Sequence, residues 1–421
     1  MPVAKAVRAD LERASWIRRM FEEGRRLREA DPSLPVYDFS LGNPDLEPPE
    51  ALLRALRELV ADTAKGTHAY MPNVGYRETR EAIARKVSRE HAFPVAFSDV
   101  VMTVGAAGGL NVLLHAILDS GDEVVVVRPW FAEYRFYINK HGGRMVEAGT
   151  GPGFALDVDA IRRALGPRTK ALILNSPNNP TGRIYPRSDV EALSAVLLAH
   201  GEATGTSPLL IVDEPYRDLA YEGAVVPPVM DAYPETVVCS SFSKSLSVPG
   251  ERIGYLAVSS RCADKSLLMD ALAMGMRTLG FVNAPALMQR AVARVADEKA
   301  DIASYARRRA LLLEAVRSAG LAFAPPEGAF YLFCEVPPRG PKGRAADAAR
   351  AAAAGAATGG AAAAESPDVA FAMFLKDYRI LLVPGSGFGM PGWARLSYAV
   401  DEALIRGVAP ELKAALGKWR E

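Results

Sequence analysis

Cysteine is scarce in this chain of 421 residues: Cys239, Cys262 and Cys334 are three in number and far apart. That excludes a disulfide framework and any cysteine metal site, and it fits a reducing compartment. Neither sign of charge dominates, since 50 Lys plus Arg face 49 Asp plus Glu, and a net charge of +1 gives no general attraction to nucleic acid or anionic membranes. Long apolar runs are missing as well. Arg8, Arg13, Arg18, Arg19, Arg25 and Arg26 interrupt the beginning of the sequence, so neither a secretory leader nor a membrane span is read there, and a cytoplasmic location is expected. The glycines follow neither the spaced dinucleotide fingerprint nor a P-loop lysine pattern, which argues against a nucleotide or nicotinamide site.

What is present belongs to an ordinary globular protein of two or three domains, with 49% hydrophobic and 24% charged residues. Between residues 8 and 30, Trp16, Met20 and Leu27 share one helical face with Ile17 and Phe21 beside them, and Asp31-Pro32 ends the pattern. This reads as a packed N-terminal arm. From about 100 to 260, short β-branched runs alternate with loops and helical patterns: Val100–Val104, Glu123–Val127, Ala171–Leu174, Leu209–Val212, Val237–Ser240 and Ile253–Val258. That alternation predicts a mostly parallel sheet covered by helices, with ligands bound beyond the carboxyl ends of its strands. After about 285 come long helical stretches and strand candidates at Ala329–Glu335, Arg379–Val383 and Ala394–Ala399, the pattern of a second, α+β domain. Within it, 14 of the 20 residues from 345 to 364 are alanine. Alanine offers little to bury, so a frayed surface insertion over about 339–367 is expected rather than an active-site lid.

The unusual residues fall where such a sheet puts its chemistry. Val237–Ser241 runs into Phe242-Ser243-Lys244, with Arg252 eight positions on. A lysine at a strand's carboxyl end is placed to be desolvated, which lowers its pKa and makes it nucleophilic toward a carbonyl. Asp213 follows the apolar run Leu209–Val212 and needs a cationic partner there. A protonated pyridine nitrogen is one such partner, and Tyr216 is close enough in sequence to donate to a phenolate oxygen of the same ring. Asn175-Ser-Pro-Asn-Asn-Pro-Thr-Gly182 holds asparagine amides in a turn. Gly105-Ala-Ala-Gly-Gly109 opens a helical pattern with exposed N–H groups, either a tight turn or a phosphate site. Pro129-Trp130-Phe131 brings two aromatics to another strand end, one for stacking on a flat ring and one for the core.

In this order, SPNNPTG at 176–182, DEPY at 213–216, SFSK at 241–244 with Arg252, and ARLSYA at 394–399, the chain resembles the class I/II aminotransferases of fold type I. These use pyridoxal 5′-phosphate. The resemblance implies a large α/β/α domain with a mostly parallel sheet at 46–285, a smaller α+β domain at 286–421, and an N-terminal arm joined to the latter at 1–45. It implies that Lys244 forms the internal aldimine, that Asp213 pairs with the pyridine nitrogen, and that Asn179 and Tyr216 bond the ring oxygen. Phe131 matches the stacking aromatic better than Trp130. Ser241, Arg252 and the backbone at Ala106 and Ala107 match the phosphate cup. Arg395 matches the arginine that grips the substrate carboxylate, and Gly42, in Ser40-Leu-Gly-Asn-Pro44, the glycine that lets this carboxylate approach the backbone. His68-Ala-Tyr-Met-Pro-Asn-Val-Gly75 resembles the segment whose tyrosine, here Tyr70, reaches the neighbouring subunit's cofactor, implying a homodimer.

By the same resemblance the protein moves an amino group between an amino acid and a 2-oxo acid in two half-reactions through aldimine and ketimine stages, with Lys244 as the general base. A lyase or synthase drawing on the same Cα carbanion is the alternative within the fold. A regulator that binds the cofactor or an amino acid without catalysis is the alternative from another class, opposed by the intact Lys244 and Arg395. Arg277 is a candidate for a distal carboxylate, which makes a dicarboxylic donor the expectation. No metal site is read.

Overall fold

All six β-branched runs become strands because they are apolar on both faces, as a sheet sandwiched between helix layers requires. The computed structural model of the chain describes residues 2–12, 16–299, 301–343 and 366–421; the alanine-rich stretch at 345–364 lies outside them. The strands are β1 (Tyr37–Asp38), β2 (Val100–Thr103), β3 (Glu123–Val127), β4 (Arg144–Ala148), β5 (Thr169–Asn175), β6 (Leu209–Asp213), β7 (Thr236–Ser241), β8 (Gly254–Val258), β9 (Tyr331–Glu335), β10 (Ile380–Leu381), β11 (Val383–Pro384) and β12 (Trp393–Ser397). The sixth run, Ile253–Val258, forms β8 with its first residue left out.

Seven strands make one sheet in the order β2-β8-β7-β6-β5-β3-β4. All neighbours from β7 to β4 are parallel, and β8 runs antiparallel to both β2 and β7. Strand β4 escapes the sequence pattern: of Arg144–Ala148 only Ala148 is buried, because an edge strand has one side open to water. One face of the sheet packs Val125, Leu172, Leu210 and Val238 against helices that include Glu50–Ala61, Arg77–Glu90 and Ala286–Arg294. The other face packs Val124, Ile173 and Ile211 against the helix Gly105–Ile117, through Leu110, Leu113 and Leu114.

A smaller α+β domain is built on the antiparallel sheet β11-β12-β9. Its core joins Leu332, Leu396 and Phe330 to the helices Ile302–Ser318, Pro367–Asp377 and Glu402–Arg420. The helix Ile302–Ser318 starts where the Asp301 carboxylate accepts from the Ser304 N–H at 3.0 Å, an ordinary N-cap. The chain's beginning is tied to this domain: β1 pairs in parallel with β10, and Phe39 is buried in its core. The helix Trp16–Ala30 stops at Asp31-Pro32, as its sequence predicts. No helix among the described residues is long and apolar enough to cross a membrane.

Register places the chemistry. Asn175 of β5 lies beside Asp213 of β6, and Asp213 beside Cys239 of β7, two residues before Ser241. Three parallel strands therefore end side by side at one edge, where the loops that follow them meet the smaller domain.

Candidate active site

A cavity of about 310 Å³ opens at that edge, walled by residues of both domains and of the N-terminal helix, with Ile17 among them. After β7 the chain turns through Phe242–Ser245, and this turn carries Lys244 into the cavity. Its Nζ donates to the Gly42 carbonyl at 2.7 Å. Burial, with Arg395 and Arg252 adding repulsion, pushes its pKa down to about 8; enclosed among cations, the neutral amine is favoured.

Asp213, the last residue of β6, is buried. Loss of water pushes its carboxyl up to about 6, opposed by the hydrogen bond that the Tyr134 hydroxyl donates to Oδ2. The Asn175 amide holds the same residue from the side, donating to its backbone carbonyl at 2.7 Å. No cationic side chain among the described residues pairs with Asp213. A buried carboxylate held by neutral donors and lacking a counter-ion suits a cationic ring atom of a ligand.

Arg395 presents the complementary case. It lies on β12, is 1% exposed, and has no carboxylate partner among the described residues. Its Nη1 donates to Asn179 Oδ1 at 3.0 Å and its Nη2 to the Ser40 carbonyl at 2.6 Å, while Nε has no partner. Tyr331 and Phe388 flank the guanidinium at 4.5 and 5.0 Å. A fixed, buried fork with an orphan N–H suits a carboxylate. Asn179 is itself fixed, its backbone N–H donating to Asn175 Oδ1 at 2.7 Å.

Ala106, Ala107, Ser241, Ser243 and Arg252 gather at the other end. The helix Gly105–Ile117 begins there, so the start of a thirteen-residue helix shares the cavity wall with Arg252 and the hydroxyl residues Ser241 and Ser243, an arrangement suited to a dianion. Gly105 has a φ of +67°, which favours glycine, and it lies against the Arg252 guanidinium, with Nη2 2.9 Å from where a Cβ would stand. Phe131 lines the cavity, whereas Trp130 is buried in the core and its backbone N–H bonds the Phe388 carbonyl at 3.1 Å.

Tyr216 lines the cavity with its hydroxyl 2.8 Å from that of Tyr331, and burial holds its phenol well above the usual range. Gly42 lines it too, and the space of its absent side chain is filled by Tyr331, whose hydroxyl oxygen would stand 1.9 Å from a Cβ. The structure thus gathers Gly42, Ala106, Ala107, Phe131, Asn179, Asp213, Tyr216, Ser241, Lys244, Arg252 and Arg395 around one cavity. Tyr70, 88% exposed, and Arg277, exposed on the helix Lys265–Thr278, lie outside its wall. Sequence reasoning passed over Tyr134, Tyr331 and Ser243; for Ser243 the signal was present, one residue from Lys244. Among the described residues no cluster of His, Cys, Asp or Glu could hold a metal ion.

An enclosed amine, an unpaired carboxylate, an unpaired guanidinium and an anion cup on this fold define an enzyme of amino-group chemistry. The chain belongs to the aminotransferase class I and II family, which matches residues 35–412. It is 34% identical over 390 residues, 90% of this chain and 91% of the relative, to an aspartate/prephenate aminotransferase of Thermus thermophilus. An aspartate aminotransferase of Geobacillus stearothermophilus is 32% identical over 372 residues, 87% of each chain. Among solved structures, an amino transferase from Eubacterium rectale superposes with a TM-score of 0.89 at 34% identity, covering 100% of both chains. The aspartate aminotransferase of Thermus thermophilus with maleate gives 0.83 at 30% identity, covering 99% of this chain and 100% of that one. Transfer of an amino group is therefore the reaction class.

Proposed function

We propose that the cofactor is pyridoxal 5′-phosphate and that the amino donor is a dicarboxylic amino acid. The observation that carries the cofactor is the coincidence, in one cavity, of Lys244 with its lowered pKa, Asp213 without a cation and Arg395 without an anion. When bound, the cofactor supplies an electron-withdrawing ring that takes up the electron pair left at the substrate Cα. The N–H groups of Ala106 and Ala107, with Ser241 and Arg252, hold the phosphate, and Phe131 packs on the ring. Asp213 keeps the ring nitrogen protonated, and Asn179 and Tyr216 donate to the ring oxygen. Arg395 would take the substrate's α-carboxylate on its fork and so present the Cα–H to Lys244, whose neutral amine would take up the proton.

The dicarboxylic donor is supported by the names of the relatives, aspartate aminotransferases among them. Among the described residues the cations that line the cavity are Lys244, Arg252 and Arg395, all engaged in the assignment above, and a cation from a second copy of the chain would meet a second carboxylate. Arg277, exposed at a helix end, is our candidate. Steady-state kcat/KM over a panel of donors is expected to favour aspartate or glutamate over apolar amino acids by at least about tenfold, one charge pair's worth, and Arg277→Ala to erase that preference. A preference for apolar donors would assign the donor to another class.

We also propose that the working unit is a homodimer in which Tyr70, 88% exposed here, completes the partner's phosphate site. Mixing the Lys244→Ala and Tyr70→Ala chains is then expected to restore activity, because each mixed dimer has one site with both residues intact. Activity no higher than that of the Tyr70→Ala chain alone would place Tyr70 outside the neighbouring site.

A further inference from the structure

Tyr331 touches both Tyr216 and Arg395 and has no part in the scheme above. It is 2% exposed, at the start of β9, where it pairs with Ser397 of β12. Its ring lies 4.5 Å under the Arg395 guanidinium, and its hydroxyl is 2.8 Å from that of Tyr216. The backbone makes room for that hydroxyl at Gly42, where a Cβ would come within 1.9 Å of it.

Counting protons fixes the direction of this pair. A phenol has one O–H to give. If Tyr216 donates to the cofactor's ring oxygen, it cannot also donate to Tyr331, so Tyr331 must be the donor between them. The order is then Tyr331 to Tyr216 to ring oxygen, and a hydrogen bond received by Tyr216 strengthens the one it gives. The cation over the face of Tyr331 polarises the first member of the chain, and a carboxylate arriving on Arg395 cancels part of that field. We propose that Tyr331 is a positioning residue that turns the Tyr216 proton toward the cofactor's ring oxygen and couples its strength to the occupancy of Arg395.

This inference rests on the pyridoxal phosphate reading, and its test separates the two. The absorption of the protein loaded with pyridoxal phosphate is titrated with pH in the wild type, Tyr331→Phe, Tyr216→Phe and the double variant. Donation to the ring oxygen stabilises the chromophore's deprotonated form, so Tyr331→Phe is expected to raise the midpoint by about one pH unit, the worth of one hydrogen bond. Tyr216→Phe raises it further, and the double variant goes no higher than Tyr216→Phe alone, because Tyr331 acts only through Tyr216. Succinate, an unreactive carboxylate, is expected to shift the wild-type midpoint more than that of Tyr331→Phe. Gly42→Ala, which intrudes on the Tyr331 hydroxyl without removing it, gives the same upward shift and keeps the test open should Tyr331→Phe fold poorly. Unmoved midpoints in Tyr331→Phe and Gly42→Ala, or additive shifts in the double variant, overturn the coupling. Absence of any chromophore in the wild type overturns the cofactor assignment instead.

Discussion

Lys244→Ala loses transamination by about 10⁴-fold or more while the protein remains folded. The size follows from what is removed. Among the described residues Lys244 is the one amine lining the cavity, and enclosure with Arg395 and Arg252 brings its pKa down to about 8, near working pH. A positioned base of that pKa supplies two to four powers of ten, and its loss would also remove the amine proposed to hold the cofactor covalently. Folding is spared because an ammonium surrounded by cations is a cost to the folded chain, and its hydrogen bond to the Gly42 carbonyl is worth only about 1 kcal/mol. Assay of amino-acid-dependent 2-oxo acid formation, alongside a thermal melt, checks both halves. Steady-state turnover above about one part in 10² of wild type would remove Lys244 from its role.

The second large effect is at Asp213. Asp213→Ala and Asp213→Asn are both expected to lower kcat by about 10²–10³-fold, the cost of one well-placed electrostatic group, while the phosphate cup still retains cofactor. Asparagine preserves the side chain's size, so equal losses in the two variants assign the effect to charge. A pH signature accompanies it. In the free chain burial raises this carboxyl to about 6, so it takes up its own proton as pH falls from 7 to 5, half of it by pH 6. Cofactor affinity is therefore expected to weaken from pH 7 to pH 5 in the wild type, and this part of the pH dependence to vanish in Asp213→Asn. Equilibrium binding of pyridoxal phosphate at several pH values measures it; an unchanged pH dependence would contradict the assignment.

The residues behind these two predictions were legible because a parallel sheet concentrates chemistry at the carboxyl ends of its strands. Asp213 follows a run of four apolar residues and Lys244 stands three residues past β7, so their places at strand ends, taken with the motifs around them, pointed to both. Arg395 was legible only through resemblance, since ARLSY reads as an ordinary strand. Other features were hidden for physical reasons. Tyr331 begins the run Tyr-Leu-Phe-Cys, which patterning assigns to the core, and its partner Tyr216 is 115 residues away. Tyr134 sits among the helical residues Tyr134–Lys140, and only the packing of that helix shows its hydroxyl directed at Asp213. Strand β4 was missed because Arg144 and Glu147 break its apolar pattern at the sheet edge. Tyr70 and Arg277 lie outside this chain's cavity, so their part turns on a second copy of the chain.

The central claim, that this cavity passes an amino group from donor to acceptor in two separable halves, is tested most directly by a single half-reaction. The protein loaded with pyridoxal phosphate is mixed with aspartate or glutamate and no 2-oxo acid, and the bound chromophore and released product are followed together. The account predicts a spectral change that runs to completion, one 2-oxo acid released per site, no ammonia, and reversal when a 2-oxo acid is added. Release of ammonia or of product over many turnovers without an acceptor would contradict it and make the protein a lyase.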